Sequence, residues 1–237
     1  MKEKGATSFF GGAVRSVDAG LRQYMLNVFS YMSGGLALTA GIAYLVSCSQ
    51  TLMALFFYNR AVALGITLIS VGIAFYLIGK FESMSFEKVR TLFFVYAGCM
   101  GLSLSSIFVV YSAESIAGAF FVTSTMFLSM VIYGYVTEKD LTGFGSFLFM
   151  GLVGLVIASF VNFFWYNSVF SFVISVIGVI LFTGLTAYDA QIIKSYYLES
   201  DSDEIGGKKA VYGALRLYLD FINLFMHILR LMGSRRG

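Results

Sequence analysis

Five side chains able to carry charge or exchange hydrogen bonds lie on one apolar segment, AVYGALRLYLDFINLFMHILRLMG: Arg216, Asp220, Asn223, His227 and Arg230. Their steps of four, three, four and three place all five within an arc of roughly 80° on an α-helix. Ionisable groups in hydrocarbon are costly unless they meet a partner or a watery cavity, so this stripe is expected to face the interior of a helix bundle. A cation path or a proton relay is the chemistry such a stripe supports. A structural arrangement is also open, with Arg216 and Asp220 as an i, i+4 ion pair and the other groups making interhelical hydrogen bonds.

Asp189, in TGLTAYDAQ, precedes Asp220 by 31 residues. If its helix runs inward and the next runs back outward, the two carboxyl groups approach at similar depth. Two buried carboxylates within hydrogen-bonding distance do not both ionise cheaply, so they hold one proton between them and titrate as a unit. Deprotonated, they offer hard oxygen ligands suited to a transient calcium ion, too few for tight binding. The sequence equally allows Asp189 to be an exposed aspartate at a membrane boundary. His227 is the only histidine, and it has no second ligand at metal spacing. The acidic run Glu199, Asp201, Asp203 and Glu204 has Gly206 at the sixth position counted from Asp201. Ile205 and Tyr212 fall where an EF-hand needs an oxygen ligand and a glutamate, so the run reads as a solvated loop. No nucleophile accompanies the histidine, and nothing points to an enzyme or to a bound cofactor.

The elements that must position these groups follow from composition. Hydrophobic residues make up 58% of the 237 and charged residues 12%, half the charged share of an ordinary soluble domain. The mean hydropathy is +0.82. Long unbroken apolar runs, without period-2 alternation, exclude a barrel and leave spanning helices. The expected spans are 24–46, 61–79, 91–112, 115–136, 146–165, 168–188 and 210–232. The fold class is thus an all-α integral membrane protein, a bundle of seven transmembrane helices over 24–232 with the seventh helix central. Residues 1–23 form an N-terminal tail and 233–237 a short C-terminal tail. Proline is absent, so bends must come from glycine or from inserted polar groups. Cys48 and Cys99 form neither a CxxC pair nor a metal motif.

Lysine and arginine set the orientation. Lys2, Lys4, Arg15, Arg22, Lys80, Lys88, Arg90, Lys139, Lys194, Lys208 and Lys209 fall on one side, eleven in all, against four on the other: Arg60, Arg230, Arg235 and Arg236. The positive-inside rule places the N-terminus and the 190–209 loop in the cytoplasm and the C-terminus outside, or back in the cytoplasm if the seventh span is re-entrant. The net charge of +3 is spread over short loops as a topology signal, and does not point to nucleic acid.

The segments TGLTAYDAQIIK at 183–194 and ALRLYLDFINLFMHILRLMG at 214–233 resemble the C-terminal signature of the transmembrane Bax inhibitor motif family, with which the seven-span plan and short charged N-terminal tail agree; the resemblance is closer to bacterial members than to animal ones with their long lysine-rich tail. The resemblance implies a pH-sensitive calcium leak channel of a bacterial inner membrane, with calcium as the transported ion and protons as the regulator. It implies that an aspartate of the sixth helix, here Asp189, is hydrogen-bonded to one of the seventh, here Asp220. It further implies a basic latch on the second helix, for which Lys80 stands at a suitable membrane edge. Bacterial members are also similar to modulators of a membrane-anchored FtsH-type protease. An interaction protein that moves no ion, or a proton-coupled cation exchanger, is therefore an alternative to the leak. A retinal-type receptor is disfavoured, because the seventh helix has no central lysine.

Overall fold

The computed structural model describes residues 4–234, with side chains from residue 19 onward except 57, 58 and 60. Lys2, Arg235 and Arg236, and the side chains of Lys4, Arg15 and Arg60, lie outside the described residues. The described residues fold mainly into helices: α1 (Lys4–Ser47), α2 (Gln50–Met53) running into a π-helical turn (Ala54–Tyr58), α3 (Arg60–Lys80), α4 (Phe86–Leu104), α5 (Ile107–Val110), α6 (Ala113–Val136), α7 (Thr142–Phe164), α8 (Ser168–Ser195) and α9 (Asp203–Met232). Six of these stretches are long and apolar enough to cross a membrane: 19–47, 61–83, 86–110, 113–136, 142–164 and 168–195. The chain is a multi-pass membrane protein. The helix of the first span extends back to Lys4, into the segment expected as a tail.

Short polar residues start several helices by accepting hydrogen bonds from the first free backbone N–H groups. Asn59 caps α3, Ser112 caps α6, Asn167 caps α8 and Ser202 caps α9. The third expected span is not one helix. It breaks after Leu104, where the Ser103, Ser105 and Ser106 hydroxyls bond to the carbonyls of Cys99, Leu102 and Ser103. Serine hydroxyls that compete in this way for backbone carbonyls bend helices, and in a chain without proline they supply the bend.

α9 packs against α1, α4, α6 and α8, while α3 packs mainly on α4 and α7 on α8. One end of the bundle gathers the α3–α4, α6–α7 and α8–α9 links. The Lys208 ammonium donates to the carbonyls of Glu82 (3.0 Å) and Met84 (3.3 Å). Gln191 bridges the Lys139 carbonyl and the Leu141 N–H, both at 2.8 Å. The Tyr24 ring of α1 lies 5.8 Å from that of Tyr197. The opposite end is tied where Ser112 donates to the carbonyl of Ser234 (3.3 Å) and Ser234 donates to the Ser115 hydroxyl (3.0 Å). α9 therefore runs from one end to the other.

Candidate functional site

α8 carries Asp189 because this helix continues past the expected end of the sixth span to Ser195. The aspartate is 6% exposed, inside the bundle and not in a boundary loop. Its depth is fixed by close helix contacts: a side chain on Gly134 of α6 would collide with the carbonyl oxygen of Ala187, two residues before Asp189. From α9, Arg216 reaches across and grips both carboxylate oxygens, Nη2 to Oδ1 at 2.5 Å and Nε to Oδ2 at 2.9 Å. Its third contact is to the Tyr196 hydroxyl, 3.3 Å from Nη1. Such a two-pronged pair is geometrically specific, because the guanidinium fork matches the carboxylate plane.

Asp220, one turn beyond Arg216, is 5% exposed, and its Oδ2 has no hydrogen-bond partner. It lies within electrostatic reach of both Asp189 and Arg216. This arrangement corrects two expectations. Asp189 and Asp220 are not hydrogen-bonded to each other, because the Arg216 guanidinium occupies both Asp189 oxygens. Arg216 and Asp220 are not an i, i+4 pair either. The three side chains form a cluster in which Asp189 and Asp220 are buried and Arg216 partly so, and Asp220 is the member without a partner among the described residues.

Lys80 does not latch Asp189. It ends α3 on the wall of a cleft of about 590 Å³ between the α3–α4 and α8–α9 links. Its ammonium makes no hydrogen bond or ion pair with a described residue, and the carboxylate it was expected to hold is already taken. Asn223 lines a second cavity of about 370 Å³ between α3, α4 and α9, together with Thr67, Ser70, Tyr96 and Ser103. There its amide donates to the Leu219 carbonyl at 2.8 Å. His227 is 7% exposed and stacks on Phe182 of α8 with ring centroids 5.7 Å apart. Its Nδ1 is buried and unpartnered. Arg230 is exposed near the far end of α9, so the inward stripe stops at His227. The other sides of α9 are also covered by protein along its middle: Leu217 and Leu224 are wholly buried and Phe221 nearly so. In the acidic run, Asp201 pairs with Lys209 at 2.6 Å. Among the described residues no three of His, Cys, Asp and Glu gather as metal ligands.

Two contacts have no counterpart in the sequence reading. Tyr196, in an undistinguished SYYL run, completes the Arg216 site. Tyr218 shares a 2.7 Å hydrogen bond with Thr39 of α1, and no residue spacing links positions 179 residues apart.

Residues 21–237 match a family model described as "Inhibitor of apoptosis-promoting Bax1". The chain is 44% identical over 220 residues to the inner membrane protein YbhL of Escherichia coli (strain K12), covering 92% of this chain and 94% of YbhL. It is 44% identical over 222 residues to the protein RP147 of Rickettsia prowazekii, covering 94% of each. A membrane protein of Streptococcus pyogenes serotype M3 is 34% identical over 218 residues, 91% of this chain and 94% of its own. A match that spans the bundle from α1 to α9 and contains Asp189, Arg216 and Asp220 places the chain in the Bax inhibitor-1 family.

Proposed function

We propose that the chain is a proton-gated passive leak for calcium or a similar cation in a bacterial inner membrane. The observation that carries this reading is the cluster of buried Asp189 and Asp220 with the partly buried Arg216, with the cleft on one side and the Asn223 cavity further along α9. In this reading α9 is the seventh span and the axis of the bundle. Its 30 residues extend about 45 Å, and its ends meet links at opposite ends of the molecule.

The gate follows from charge. With Asp220 protonated, the cluster is neutral and Arg216 pins α8 to α9. Loss of that proton leaves one negative charge, and Asp220 then competes for Arg216 from its place one turn along the same helix. The guanidinium is then shared between the two carboxylates, the α8–α9 contact loosens, and the oxygens it leaves uncovered become available to a passing cation. Two carboxylates bind calcium weakly, which suits transit. Protons and calcium compete, because the ion needs the oxygens that the proton occupies.

Calcium flux into liposomes containing only this protein, measured across pH, tests the reading. Flux should rise as pH rises. Asp220→Asn should hold flux low at every pH, and Asp189→Asn should flatten the pH dependence by freeing Arg216. The double variant should be no more affected than the stronger single one. Additive effects, or no flux at any pH from folded protein, would refute the leak.

A further inference from the structure

The cleft walled by Lys80 has a chemistry that the leak does not use. Lys80, Lys209, Tyr196 and Tyr212 line it, with Glu82 as its one lining carboxylate. Lys209 gives two of its three N–H donors to the Asp201 carboxylate and the Tyr196 carbonyl, so one is left. Lys80 gives none to a described residue. Lys208 lies just behind, on the Glu82 and Met84 carbonyls and 5.2 Å from the Phe81 ring centroid. The Phe81 and Tyr212 rings, 4.5 Å apart, hold the two walls together. Three ammonium groups thus meet two carboxylates, Glu82 and Asp201, and the surplus is one positive charge. A phosphate diester carries one negative charge.

The surroundings distinguish a lipid from a soluble anion. Ile78 lines the cleft and begins an exposed apolar stripe of Phe75, Val71, Leu68 and Leu64 along α3. These residues recur at steps of three and four, on one side of the helix. The stripe leads from the basic cleft toward the middle of a spanning helix. A polar, basic end continuous with an apolar track matches a molecule with a charged head and hydrocarbon tails. Basic pockets between transmembrane helices at a membrane face bind such anionic headgroups.

We propose that the cleft binds the phosphate of an anionic phospholipid, with its headgroup between Lys80 and Lys209 and an acyl chain along the outer face of α3. Tyr196 joins this site to the buried cluster: its carbonyl accepts from Lys209 and its hydroxyl from Arg216. A lipid headgroup in the cleft is therefore one residue away from the Arg216–Asp189 pair. The site itself stands independently of ion flux.

The test is native mass spectrometry of the full chain released from nanodiscs of phosphatidylcholine with a minority of phosphatidylglycerol. The wild-type protein should retain phosphatidylglycerol in preference to phosphatidylcholine. Lys80→Gln, at an exposed position without a polar partner among the described residues, should fold normally and lose roughly fivefold in retention. Lys80→Gln with Lys209→Gln should lose more. Lys139→Gln, at the same end of the bundle but outside the cleft, should keep wild-type retention. Equal retention by wild type and Lys80→Gln, or the same loss in Lys139→Gln, would overturn the site. Displacement of the lipid by glycerol phosphate would assign the cleft to a soluble phosphate and overturn the lipid.

Discussion

Arg216 stands one turn from Asp220 on its own helix, yet its guanidinium is committed to Asp189 of α8. A buried carboxylate that loses its counter-charge is strongly destabilised, so this arginine both stabilises Asp189 and restrains the helix that carries it. Arg216→Gln should remove the restraint. Flux at acidic pH should then rise above the wild-type level, while the melting temperature of the protein in detergent falls. Acid flux unchanged from wild type would mean that the pair is only structural. The burial of Asp220 and His227 was legible in the sequence, because polar groups at helical spacing in an apolar segment have few places to go; that of Asp189 was not, since a boundary aspartate fits the same residues. The partner choice was not. A one-dimensional pattern shows that Arg216 is four residues from Asp220 and says nothing of which carboxylate lies in the plane of the guanidinium fork. The latch assigned to Lys80 failed for the same reason.

At the scale of the helix, α8 and α9 meet without room to spare. An added Cβ on Gly178 would stand 2.5 Å from the His227 ring, which is itself pressed against Phe182. Gly178→Ala should therefore destabilise the protein by about 1–3 kcal/mol through overpacking. His227→Ala in the same chain should recover much of that loss, measured as thermal stability in detergent. Failure of the second change to compensate would place the strain elsewhere. The first six spans were legible to within a few residues at most boundaries, since a stretch of apolar residues long enough to cross a bilayer has one reading. The break at Ser103–Ser106 was not, because serine tolerates both a straight helix and a bend. Which hydroxyl turns back on its own backbone is decided by neighbours on other helices. The burial of Leu217, Phe221 and Leu224 was hidden too: lipid and protein interior ask the same of an apolar side chain, and only packing separates them.

At the scale of the whole molecule, the links that carry most of the lysines and arginines lie together at one end, joined through Lys208, Gln191 and the contact of Tyr24 with Tyr197. The positive-inside rule turns that end toward the cytoplasm. A cysteine in place of Ser202, in a chain with Cys48 and Cys99 replaced, should resist an impermeant reagent added to intact cells, and one in place of Ser234 should react. The reverse pattern would invert the topology. The order of the helices along the chain bears on how the protein is made. α9 is the segment least suited to lipid and the one most enclosed by protein, and it follows every helix that encloses it. During synthesis, α1, α4, α6 and α8 enter the membrane around a slot whose occupant is still on the ribosome. Arg216 and Asp220 must then leave the insertion machinery directly into that slot, since neither has a tolerable stopping place in hydrocarbon. The half-made protein holds Asp189 at the slot's edge without the arginine that pairs with it in the finished bundle.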